Sequence, residues 1–178
     1  MAPDDVEFET ESFKGAVEEL FPKVFRGGFV ISLWSVFEAC IKDLAEYVRC
    51  EKELPFGLQE LRAGDFLEQT EKFFSRVLSM KVFFDKDVRR KLEELKGLRN
   101  ALAHHDGATD ELPKSLQAKS EDEYRSKGLL VYRDLHHQYA IPTAEYAEGA
   151  LKTVHAFVEQ FAEKVYAAIH PVPLEDDA

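Results

Sequence analysis

Apolar residues recur every three or four positions over most of the chain, and this spacing predicts helices. The strongest run is FVISLWSVFEACIKDLAEYV, residues 29–48. Val30, Leu33, Trp34, Phe37, Ile41, Leu44 and Val48 fall on one stripe of it. In its N-terminal half apolar residues also occupy other faces. That half is expected either at the centre of the core or under a second chain. Ahead of it, Ser12 is placed to cap a short helix to about Phe21, and Pro22 with the Gly27–Gly28 pair is expected to interrupt or kink the chain before residue 29. KELPFGLQELRAG reads as a loop. Asp65 then opens a third helix with Phe66, Phe73, Val77 and Leu78 inward. Asp85 or Asp87 caps a fourth, over about 86–105, with the stripe Val88, Leu92, Leu95, Leu98 and Leu102. Gly107 stands just past its end, where glycine takes the left-handed conformation without penalty.

Residues 106–128 are polar and read as a loop with a short helix at 120–126. LLVY and QYAI flank RDLHH and have the pattern of a small hairpin. Pro142 and Thr143 open a final helix whose stripe is Tyr146, Ala150, Val154, Phe157, Val158, Phe161 and Val165. The pattern therefore predicts an all-α bundle of about five helices, with at most a small β-hairpin before the last one. Residues 1–11 read as a flexible acidic lead-in, 12–170 as one helical domain, and 171–178 as a flexible tail.

Composition narrows the function. At 178 residues with 14 Phe there is apolar material for a real core, and a chain of this length buries about 70% of its unfolded surface. The net charge of −11 argues against a large basic surface for nucleic acid or anionic lipid. Cys40 and Cys50 fall in one helix about 15 Å apart, too far for a bridge. Two unpaired thiols point to a reducing compartment. The N-terminus is acidic, the opposite of a secretory signal. The longest apolar run, Phe29–Ile41, is shorter than a membrane span. The expectation is a cytoplasmic protein with no membrane attachment.

There is no Gly-rich phosphate loop, no His-Glu-x-x-His, no Glu-x-x-His and no Cys-x-x-Cys. No metal and no cofactor is expected. His136 and His137 read as exposed loop histidines, His155 as a half-buried helix residue, and His170 as the end of a helix. Glu38 is the only charge between Phe29 and Ile41. It must reach water at the bundle edge or pair with a cation such as Arg99.

The remaining feature is LRNALAHHDG, residues 98–107. Helix ends favour basic residues without any catalysis, because the terminal carbonyls carry partial negative charge. The residue types nevertheless suit chemistry. Asn100 and His104 are four apart and share a face, so the amide can orient the imidazole. Arg99 is a natural grip for a phosphate, and histidine exchanges protons near neutral pH. A phosphate grip beside a general acid–base is what cleavage of RNA by its own 2′-hydroxyl requires. One helix end supplies half of such a system. A twofold dimer supplies the rest, and the surplus apolar surface of residues 29–48 is available as its interface.

At this point the residues resemble a known family. LRNALAHHDG at a helix end is similar to the Arg-x(4–6)-His motif of HEPN domains (higher eukaryotes and prokaryotes nucleotide-binding), with Arg99, Asn100 and His104 on the motif and His105 at the next spacing. FVISLWSVFEACIKDL resembles the long early helix of bacterial members, and PTAEYAEGALKTVHAFVEQF their closing helix. The resemblance covers about residues 12–169. It implies a HEPN-like helical bundle, a homodimer, and metal-independent endoribonuclease activity at a composite cleft, often in toxins or defence systems kept silent by an antitoxin. Arg99 and His104 would be catalytic, and Asn100, Glu38 and His105 would structure the site. The resemblance equally allows a silent binding or scaffold module. Some members carry a Tyr two positions after the His, where a partner enzyme modifies them; here that position is Asp106, which puts this control in doubt. Between residues 86 and 99 six basic residues stand against three acidic ones, a local +3 beside the motif. Arg89, Arg90 and Lys96 are the RNA-binding candidates.

Overall fold

In the computed structural model the described residues are Phe13, Val17, 21–83, 85–133 and 138–171, the side chain of Lys23 excepted. The acidic lead-in, most of the Ser12-capped helix, His136, His137 and residues 172–178 lie outside them. The fold is mostly helical. Its elements are α1 (Phe21–Glu51), α2 (Phe66–Leu78), α3 (Lys86–His105), the short α4 (Glu121–Ser126), β1 (Leu129–Arg133), β2 (Gln138–Pro142) and α5 (Ala144–Ile169), with 3-10 turns at Leu58–Glu60 and Thr109–Glu111.

α1 runs through the point where a break was expected. Pro22 falls in its first turn, where a missing backbone N–H costs nothing. Gly27 is buried, and a Cβ there would sit 3.5 Å from Leu102, so this glycine marks close packing rather than a stop. The predicted stripe of α1 is buried, apart from half-buried Leu44. By length and composition alone Val24–Glu51 could also cross a membrane: its most apolar 18 residues have a mean hydropathy of 1.5, and 33% of them are buried in the fold.

Local chemistry sets several boundaries. Asp65 caps α2 by accepting the Glu68 N–H at 3.0 Å, and the Glu68 carboxylate in turn accepts the Gly64 N–H at 2.7 Å. Asp65→Ala is expected to cost about 1 kcal/mol, read as a lower midpoint in urea unfolding at unchanged slope. The face of α2 differs from the prediction. Leu67, Thr70, Phe73 and Phe74 are buried, whereas Phe66, Val77 and Leu78 are half-buried. Two aromatic neighbours made the phase ambiguous, and packing chose the face that carries both Phe73 and Phe74. Ser120 caps α4 and Thr143 caps α5 through their hydroxyl oxygens. The hairpin is antiparallel, with Leu129 opposite Pro142 and Tyr132 opposite Tyr139.

The chain falls into two compact units. One comprises the described residues up to Trp34 together with Glu94–Ala150; the other comprises Ser35–Glu93 with the described residues from Leu151 onward. The first is built on Val30, Leu33, Leu95, Leu98, Leu112, Leu129 and Ile141, all buried. The second is aromatic at its centre. Phe74 meets Phe161 edge-on at 4.7 Å between ring centroids, Phe157 stacks on Phe161 at 5.4 Å, and Phe83 stacks on Phe157 at 5.6 Å. His155 is exposed and 3.9 Å from Glu159, not half-buried as expected. The buried line of α5 runs through Val154, Phe157, Phe161 and Val165, and the position after Val154 turns outward. His170 takes part in the second unit, where its Nε2 lies 2.7 Å from the Tyr47 hydroxyl and its ring packs on Tyr166.

Candidate functional site

The candidate site is the C-terminal end of α3, inside the first unit. Leu95, Leu98 and Ala101 anchor the inner face of this helix and are buried. Gly97 lets it approach Pro113, whose ring carbons would lie 2.8–3.1 Å from a Cβ at that position. The helix is stopped by two successive left-handed residues, Asp106 (φ 53°) and Gly107 (φ 83°). The Gly107 N–H donates back to the Ala101 carbonyl at 2.9 Å, and the Ala108 N–H to the His105 carbonyl at 2.9 Å. These bonds satisfy carbonyls that a helix end leaves open.

The hairpin then clamps this turn. The Ala140 N–H donates to the Gly107 carbonyl at 2.8 Å, and Ala108 forms an isolated antiparallel bridge with Tyr139. A Cβ on Gly107 would meet the Ala140 carbonyl oxygen at 2.7 Å. Sequence reasoning placed Gly107 at the helix end but missed its strand partner. No local signal announces a pairing across more than thirty residues of chain.

The outer face carries the polar side chains. Arg99 is half-buried, and its Nη1 donates to Asn100 Oδ1 at 3.0 Å. The Arg99 Nε is buried and has no hydrogen-bond partner among the described residues. Asn100 therefore holds the arginine rather than the imidazole. His104 is exposed, about 40° round the helix from Asn100. His105 is exposed and turned to Glu111, its Nε2 3.9 Å from Glu111 Oε2. The two histidine rings lie edge to face with centroids 6.4 Å apart. Both stand in the last turn of α3, at its carbonyl end.

Glu38 belongs to the second unit and pairs with Lys42 at 3.6 Å. Arg89 bridges Glu71 and Glu93, and these partners, Glu93 first, raise its pKa. Arg90 and then Lys91 hold the Asp87 carboxyl below its ordinary range. Asp87 and Glu93 are already counted in the local +3 of the sequence, so only Glu71, from α2, adds a further carboxylate to that balance. Lys96 is half-buried on the same helix as Arg99. Cys40 and Cys50 are both free thiols. Among the described residues no group of three or more His, Cys, Asp or Glu is placed to hold a metal ion.

The fold and the site define a mostly helical chain with an Arg-Asn-x(3)-His helix end locked by a β-hairpin. Comparison with protein-family models, with curated proteins and with solved structures finds no match.

Proposed function

We propose that the end of α3 is one half of a metal-independent RNA-cleaving site, in a HEPN-type endoribonuclease that works as a homodimer. The observation that carries this reading is the Arg99 fork. Its Nη1 is oriented by Asn100, and its buried Nε has no acceptor among the described residues. A buried donor left unpaired costs about 1–3 kcal/mol, and a bound anion relieves that cost. A guanidinium pre-set in this way suits the phosphodiester of RNA. His104 stands five residues further along α3, exposed, about 140° round the helix from Arg99 and about 40° from Asn100.

In the reaction, the 2′-oxygen bonds to phosphorus as the bond from phosphorus to the 5′-oxygen breaks. One imidazole takes the 2′-hydroxyl proton, and a second, protonated imidazole gives a proton to the departing 5′-oxygen. Arg99 holds the extra negative charge on the phosphorane. Two His104 side chains, one from each protomer, would supply base and acid across a composite cleft. The family resemblance extends the reading to a cytoplasmic toxin or defence effector restrained by an antitoxin protein. The free thiols of Cys40 and Cys50 agree with a reducing compartment.

The test is incubation of the purified chain with single-stranded and structured RNAs in EDTA. The expected products carry a 2′,3′-cyclic phosphate, or its hydrolysis product, and a 5′-hydroxyl. A second reading, a silent binding module on the same fold, is favoured by the pairing of Arg89, Arg90 and Lys91 with carboxylates, which leaves little free basic track beside the site. Intact RNA across the whole panel would move the assignment there. Growth arrest on expression, relieved by His104→Ala, separates a toxin from that module.

A further inference from the structure

The N-terminal half of α1 carries an apolar face that is exposed among the described residues. Phe21, Val24, Phe25 and Phe29 are 51%, 59%, 69% and 39% exposed. In their midst Gly28 is exposed, and a Cβ built on it would meet nothing within 4 Å. All five lie in the first unit. Together the four large side chains expose roughly 400 Å² of apolar surface, taking about 150–250 Å² for a whole large side chain.

We infer that this face docks against the same face of a second copy of the chain. Three observations fix the occupant. First, the area fits: a standard interface takes about 800 Å² from each partner, somewhat over half of it apolar. Second, the charge fits. Within the first unit the residues of this face are Phe21, Val24, Phe25, Gly28, Phe29 and Ser32, none of them charged. A copy of the chain meets this face with no like charges placed directly opposite one another, whereas a charged partner finds nothing on it to pair with. Third, Gly28 puts no side chain at the middle of the face, and the space where its Cβ would stand is open, so a facing helix can approach its backbone there.

The contact is independent of the ribonuclease reading, and it changes the geometry expected of a dimer. Gly27 turns α1 toward Leu102 of α3, and Phe25 lies about 200° round α1 from Gly27. His104 lies about 200° round α3 from Leu102. Two copies joined through α1 therefore keep their His104 side chains away from the joint. A composite cleft needs a separate contact across the Asn100–His104 face, and the two interfaces can be removed one at a time.

The experiment is sedimentation of the full chain between about 1 and 100 µM, with the variants Gly28→Leu and Phe25→Ser. Wild type is expected to self-associate, and each variant to weaken one association step by 10-fold or more. Gly28→Leu carries a second readout, because a merely structural role predicts the opposite sign for stability. Nothing contacts position 28 within the protomer, and leucine has the better helix propensity, so the protomer should melt about 2–4 °C higher while its association weakens. A wild type that stays monomeric over this range overturns the inference. So does unchanged association in both variants, or association lost only in His104→Ala. Flotation of wild type with phosphatidylcholine vesicles, abolished by Phe25→Ser, would reassign the face to lipid and likewise overturn it. RNA cleavage is measured on the same samples, so failure of the catalytic reading is seen separately.

Discussion

His104→Ala is expected to lower RNA cleavage by 10²-fold or more, with the fold intact. A positioned general acid or base contributes about 10²–10⁴ in rate. If both imidazoles of a dimeric site are His104, both roles vanish in the one variant. The ring is exposed, so its loss should change stability by no more than about 0.5 kcal/mol. Circular dichroism and a melting curve check that point. His105→Ala is the matched control, since His105 is turned to Glu111 at 3.9 Å and should lose far less activity. Wild type should show a bell-shaped pH profile, with one limb from the base and one from the acid. Arg99→Lys sharpens the assignment. Lysine keeps the charge but has no Nε and no fork, so the bond to Asn100 and the orphaned donor both go. The expected loss is close to that of Arg99→Ala, about 2.7–4 kcal/mol of transition-state stabilisation. Activity retained in His104→Ala but lost in His105→Ala would move the catalytic role one residue along. Full activity in both would leave only the binding-module reading.

Gly107→Ala is expected to destabilise the protein by about 2–3 kcal/mol, a fall of roughly 5–10 °C in Tm for a chain of this size. Two effects add. An L-residue at φ 83° is strained, and its Cβ would press on the Ala140 carbonyl oxygen, a backbone atom with little room to move. The side chain of Leu102 stands 3.2 Å away on the other side. The damage should not stay local, because Gly107 also accepts the Ala140 N–H that ties the hairpin to the helix end. Cleavage should fall with stability, by loss of alignment at His104. Asp106→Gly is the control. Asp106 is left-handed as well, at φ 53°, so glycine there should be neutral or mildly stabilising. Equal melting temperatures for Gly107→Ala and wild type would mean that the turn is not closed as described.

The catalytic candidates were legible in the sequence because they sit on one helix. A spacing of four puts Asn100 and His104 on one face whatever surrounds them. The role of Asn100 was not legible. It holds Arg99, its immediate neighbour, and rotamers rather than spacing decide such a contact. The pairing of Arg89 with Glu71 was hidden for a different reason: these residues come from different helices, and only the packing of α2 on α3 joins them.

The same division holds across the fold. Caps at Asp65, Ser120 and Thr143, the stop at Gly107 and the pairing of β1 with β2 depend on bonds between residues close in the chain, and the sequence by itself determined them. Tertiary structure decided what competing local signals left open. It carried α1 through Gly27–Gly28 by packing Gly27 near Leu102, chose Phe74 as well as Phe73 for the core, and turned His155 to solvent. It also buried the Nε of Arg99 and left Phe25 bare. Helix periodicity says which residues share a face. Which face is covered depends on the partners that close in from distant parts of the chain, or from another copy of it.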